Sequence, residues 1–296
     1  MGDEPARASA GGALWTLARL FAFGGLFVVL ALAGFALVPA TGMDARAMLA
    51  QGAVTLVAAL VAGSALLARL DGRAPAALGF GFARAVPRDF ALGLGIGVGA
   101  IVIATVPLML AGAMTYSREP GTVGTWTGAL ARDFTILGVA AAAEEALFRG
   151  YPFQVLVRAI GAVAATVLTS ALFAFAHAGN PNVGGLALLN IGLAGVLLSA
   201  AYLRTRSLWF ATAVHLGWNW GMASLLDLPV SGITSLETPL YEPRVGGPVW
   251  VTGGAFGPEG GIVASLAFLA ALAAVLRLPR PALPAARARR AIIDGD

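Results

Sequence analysis

Apolar residues fall into eight continuous runs along the chain and do not alternate with polar ones. The runs cover roughly 20–38, 47–67, 90–114, 126–148, 160–177, 186–203, 208–226 and 261–276. About 20 helical residues cross a ~30 Å hydrocarbon core. The pattern therefore predicts an all-α, polytopic integral membrane helical bundle of about eight transmembrane helices. The last run is short, and the fifth and sixth only just reach across. Helix breakers such as Pro39, Pro75, Pro87, Pro181 and Pro229 separate the runs. Positions 227–260 are rich in proline and glycine and read as a long external loop, ordered or mobile. The sequence after Arg277 is rich in Pro, Ala and Arg and reads as a disordered tail. The expected organisation is a cytoplasmic N-terminus at 1–19, one transmembrane domain at 20–276 with 144–219 as its catalytic core, and a basic cytoplasmic tail at 277–296.

Composition narrows this further. The chain is 58% hydrophobic and 11% charged, against about 25% charged in soluble domains. Too little polar surface is left to cover a water-soluble globule. Continuous runs also exclude the alternating strands of a membrane barrel. Every basic residue is arginine, and the formal net charge is +4. With the N-terminus inside, the inner stretches hold Arg7, Arg19, Arg69, Arg73, Arg84, Arg88, Arg149, Arg158, Arg204, Arg206, Arg277, Arg280, Arg287, Arg289 and Arg290, fifteen in all. The outer stretches hold Arg46, Arg118, Arg132 and Arg244. Arginine bias of this kind predicts both termini in the cytoplasm, in a plasma membrane. The arginines sit between apolar runs, so they orient the protein and do not form a nucleic-acid surface. Cysteine is absent, which excludes disulfides and thiolate metal sites. The first apolar run lacks a small-residue cleavage site and is expected to remain a helix.

Gly93, Gly95, Gly97 and Gly99 alternate within the third run. A nucleotide loop would need a preceding strand. Close packing of helices through small residues is the expected use.

An ionised residue at a membrane helix centre costs roughly 2.5–3.5 kcal/mol on insertion scales, so each one points to function by default. Such exceptions concentrate between Glu144 and Asn219. In Glu144-Glu145-Ala-Leu-Phe-Arg149, Glu145 and Arg149 are i, i+4 neighbours that can pair. Glu144 points about 100° away on a 3.6-residue helix and stays available to handle protons. The bland alternative is an interfacial salt bridge with Arg149 reaching the headgroups. The chain's two histidines, His177 and His215, both lie in or at the end of apolar runs, and His215 shares a helix face with Asn219. A general base, a proton carrier and neutral donors on three helices suit attack of water on an amide. Asn190, Thr212 and Ser224 read as structural.

Glu-Glu-x-x-x-Arg, Phe-x-x-x-His and His-x-x-x-Asn, in that order on successive helices, resemble the CPBP family. That family contains type II CAAX prenyl endopeptidases and bacteriocin-processing or self-immunity relatives. Glu144 to Tyr151 is similar to its first signature, and Arg204-Thr-Arg-Ser-Leu-Trp209 to the run-in before its third. The resemblance implies an eight-helix intramembrane protease acting on a membrane protein or lipidated peptide. Glu144, assisted by His177, would activate water. His215 and Asn219 would stabilise the oxyanion, and Glu145 and Arg149 would support Glu144. Family members are often labelled metalloproteases, and Glu144, His177 and His215 could ligate a catalytic zinc. His-Glu-x-x-His is absent, however, and Asn219 suits an oxyanion better than a metal, so a glutamate-activated water without metal is the preferred expectation, with zinc on those three residues as the alternative.

Two other functions fit the same composition. One is a non-catalytic scaffold or immunity-type protein; the other is a proton-coupled carrier, against which the lack of internal repeats counts. One geometric difficulty stands. Simple alternation of spans puts Glu144 and His177 at different depths unless a short or re-entrant segment lies between Arg149 and Ile160.

Overall fold

The computed structural model describes residues 10–38, 42, 44–236, 238–279 and 292–294. The tail expected to be disordered lies largely outside the described residues. The helices are α1 (Ala10–Leu37), α2 (Ala45–Leu70), α3 (Val86–Leu110), α4 (Val123–Phe148), α5 (Tyr151–Ala176), α6 (Gly185–Thr205), α7 (Leu208–Trp220), the single turn α8 (Val249–Thr252) and α9 (Ile262–Arg277). A π-helical turn, Gly221–Leu225, prolongs α7. The architecture is an all-α bundle, as the runs predict. Two short antiparallel strands, β1 (Met114–Arg118) and β2 (Tyr241–Val245), were not expected from the sequence.

Helix starts follow local chemistry. The Asp44 carboxylate accepts from Arg46 N and Ala47 N and opens α2. Thr122 and Thr125 form a capping box for α4, and Ser207 caps α7. Among the described residues, five stretches are long and apolar enough to cross a membrane: Gly12–Leu37, Ala45–Leu70, Val86–Leu110, Val123–Ala176, which joins α4 and α5, and Gly185–Thr205. Phe21, Val29, Leu32, Val163 and Phe175 are exposed on the outside of the bundle. A contiguous apolar exterior of this kind needs lipid as its solvent.

The two ends of the bundle differ. One end is knitted by short connections. Arg19 pairs with Asp71 at 2.7 Å. The Gln154 amide donates to Ala77 O and Leu78 O, and its Oε1 accepts from Ile292 N. Leu208 N donates to Gly79 O at 2.9 Å, and the Arg204 guanidinium donates to Leu278 O. The other end carries the strand pair and the loop 227–260. The described residues of that loop are folded back on the bundle. Tyr116 and Tyr241 stack edge to face and donate to Leu226 O and Leu225 O, which pins the strands over the end of α7.

Half of the alternating glycines do what the sequence suggested. Gly93 and Gly97 press on the α7 backbone. A Cβ on Gly97 would lie 2.7 Å from Trp218 N and would strike Val214 O. Gly217 is in turn pressed on α3, where a Cβ would lie 3.0 Å from Val98 N. Gly95 and Gly99 have nothing within 4 Å. The packing spacing is therefore four, one helical face, and not the apparent two. Gly97→Leu is expected to lower the melting temperature in detergent, since overpacking costs about 1–3 kcal/mol. Gly95→Leu should leave it near wild type. Equal losses for both would refute this packing assignment.

Candidate active site

The depth difficulty is resolved by α5. Arg149 caps α4, and Gly150 follows where a Cβ would strike Ala146 O. Residues 151–160 continue as helix toward the knitted end, about 15 Å at 1.5 Å per residue. Gly161 then adopts φ 81°, ψ 162°, a left-handed-side conformation open to glycine. Residues 162–176 return. The return is visible in side chains: Phe173 stacks on Phe148 at 5.2 Å, and the Arg149 guanidinium lies 4.5 Å over the Phe173 ring. A short outbound limb between Arg149 and Gly161 thus brings the ends of α4 and α5 to one level.

Glu144, His177 and His215 meet there. Glu144 Oε2 lies 4.0 Å from His177 Nε2 and 3.8 Å from His215 Nε2. Each imidazole is held by its other nitrogen. His177 Nδ1 lies 2.8 Å from Phe173 O, so it donates there and presents Nε2 to Glu144. His215 Nδ1 lies 3.0 Å from Glu145 Oε1. A carboxylate can only accept, so this nitrogen carries the proton. Glu145 Oε1 also accepts from Arg149 Nη1 at 3.1 Å, and both side chains are fully buried. Arg149 Nη2 donates to Gly195 O, in the middle of α6.

Glu145 is therefore more than the partner of Arg149. It joins the ion pair to His215, 70 residues away in sequence, a link that local spacing could not reveal. Asn219 lies one turn beyond His215 and lines the same cavity. That cavity, of about 620 Å³, is also lined by Glu144, His177 and His215. Glu145 and Arg149 stand behind it.

Two buried carboxylates were missed. Asp133, fully buried within α4, accepts from Arg132 Nε at 2.7 Å and Ser224 Oγ at 3.2 Å. Charged groups in the membrane segments are thus not confined to 144–219, and adjacent Arg132-Asp133 in an apolar run was the available signal. Glu259, 6% exposed, accepts from Trp218 Nε1 at 2.9 Å and from Ser231 N and Oγ. It anchors the folded-back loop to α7. Asn190 bridges Glu259 O, Gly261 O and Ser265 Oγ, so its role is structural, as expected.

The donor types would suit zinc, but the spacing does not. Ligand atoms about 2.0–2.1 Å from a tetrahedral zinc lie ~3.3 Å apart, whereas these pairs are 3.8 and 4.0 Å apart. No group of three His, Asp or Glu side chains among the described residues has the geometry of a metal site.

The fold and this cavity define a polytopic helical membrane protein with a carboxylate–histidine site inside the bundle. Residues 126–221 match the family model for Rce1-like proteins, type II CAAX prenyl endopeptidases. The resemblance read from the three motifs is borne out over that segment, which contains all six candidate residues. The first three helices and the loop 227–260 lie outside the match. No curated protein matches the chain.

Proposed function

We propose that the protein is an intramembrane endopeptidase in which Glu144 activates water to hydrolyse a peptide bond of a membrane-associated protein or peptide. The observation that carries this reading is the convergence of Glu144 Oε2 with two imidazole Nε2 atoms at 3.8 and 4.0 Å, inside a cavity. These separations are too long for direct hydrogen bonds and match groups bridged by one oxygen atom. A water held there donates one proton to Glu144 and is oriented by His177. Its oxygen attacks the scissile carbonyl, and Glu144 passes the proton to the leaving amine. Asn219 donates to the developing oxyanion. His215 joins it from Nε2 when it carries both protons, a form in which Glu144 and Glu145 together face the charges of Arg149 and the imidazolium. Preorganised donors of this kind typically supply 10²–10³-fold each. Both termini are placed in the cytoplasm on the arginine bias.

The reading is tested by comparing peptide ends in membranes of cells making the wild type and Glu144→Ala. New ends should appear only with the wild type; identical sets in the two strains would refute it. The metal-free route makes a separate prediction. Strong chelators should leave cleavage by the detergent-purified protein within about twofold of untreated. Loss on chelation with rescue by added zinc would make Glu144, His177 and His215 ligands instead.

A further inference from the structure

Every described loop or strand residue lining the cavity comes from the end that carries β1 and β2. Asn180, Glu119, Glu242, Pro243 and the segment from Asp227 to Leu236 all contribute. No described residue of the knitted end lines it. That end is closed by Leu67, Leu78, Tyr151, Phe153, Tyr202, Leu208 and Phe210, all of them buried. The cavity floor near His215 lies seven residues into α7, about 10 Å from the closed end at 1.5 Å per residue. The site is therefore a blind well with one polar approach.

The arginines fall on the opposite end from that approach. Among the described residues the closed end holds Arg19, Arg69, Arg73, Arg84, Arg88, Arg158, Arg204, Arg206 and Arg277. The open end holds Arg46, Arg118, Arg132 and Arg244. Arginine-rich connections stay in the cytoplasm, so the well faces the other way. Its charge is one-sided as well. Among the described residues Glu119, Glu144, Asp227, Glu242 and Glu259 line it, and no arginine does. A low-dielectric well lined by one sign of charge concentrates ligands of the other sign.

We propose that the site is fed from the non-cytoplasmic face, and that its substrate is an exported or membrane-anchored peptide segment bearing basic residues. The substrate half of this rests on the proteolytic reading above. It excludes a lipidated cytoplasmic tail as the substrate, because the closed end offers such a tail no path to Glu144.

The absence of cysteine from the chain makes the direction of opening directly testable. Single variants Thr234→Cys, at the mouth, and Ala85→Cys, at the closed end, are probed with a membrane-impermeant maleimide in sealed right-side-out and inverted vesicles. Thr234→Cys should label only right-side-out and Ala85→Cys only inverted; the reverse pattern overturns the proposal. Labelling needs no catalysis, so it stands or falls apart from the protease reading. For the charge, purified protein is given two peptides that differ only by Lys or Glu beside the cleaved bond. The Lys peptide should be preferred at least tenfold in kcat/KM, and Glu119→Gln with Glu242→Gln should narrow that ratio severalfold. Preference for the Glu peptide, or a ratio unmoved by the double variant, overturns the basic-substrate claim. Failure to cleave either peptide, with labelling as predicted, counts against proteolysis and not against the direction of the opening.

Discussion

Glu144→Gln abolishes cleavage while the protein inserts, purifies and melts like the wild type. That is the expected result, and its size follows from the role assigned to Glu144. Positioned acid–base catalysis is typically worth 10²–10⁴-fold, and the substitution removes the base while keeping its volume. Stability is spared because Glu144 Oε2 has no hydrogen-bond partner to lose and the side chain faces a cavity. Initial rates and a thermal melt on the same preparation check both halves. If Glu144→Gln kept its activity while Glu145→Gln was stable but dead, the roles of the two carboxylates would be exchanged.

Glu145→Gln is expected to fail differently. Glu145 and Arg149 are fully buried and 3.1 Å apart, and removing one partner of such a pair costs about 3–5 kcal/mol because the other charge is left uncompensated. The variant should therefore lose thermal stability or yield. It should also lose activity, since the carboxylate that holds His215 Nδ1 at 3.0 Å is gone. Arg149→Gln should be similarly unstable, and it also removes the bond to Gly195 O that ties α4 to α6. The double variant should be less destabilised than the sum of the two, as expected for groups in direct contact. Simple additivity in the melts would show that the pair is not coupled.

How far the chain could be read follows from the range of each interaction. The apolar runs located the helices because hydrophobicity is a local property; the run at 208–226, for instance, is α7 with its π turn. The Glu145–Arg149 pair was legible as an i, i+4 spacing on one helix. The bond from Glu145 to His215 was not, because it depends on α4 and α7 packing together. The limb 151–160 was hidden by its composition. Gly150, Pro152, Gln154 and Arg158 make it look like a loop, whereas Gln154 is buried in bonds to Ala77, Leu78 and Ile292 at the closed end. The alternating glycines were legible as a helix contact, but not that only Gly93 and Gly97 make it, because sequence cannot say which face of α3 meets a neighbour. Glu259 was unreadable as a buried group because its partners, Trp218 and Ser231, reach it only once the loop folds back.

The central claim is that Glu144 drives water onto a peptide bond within the bundle. The most direct measurement is a single turnover by the purified protein in water enriched in oxygen-18, using a peptide identified from the wild-type-only ends. The new carboxyl terminus should carry one heavy oxygen, and Glu144→Gln should give no product over the same interval. Product formed at an undiminished rate by Glu144→Gln, or a new terminus without the label, would contradict the account.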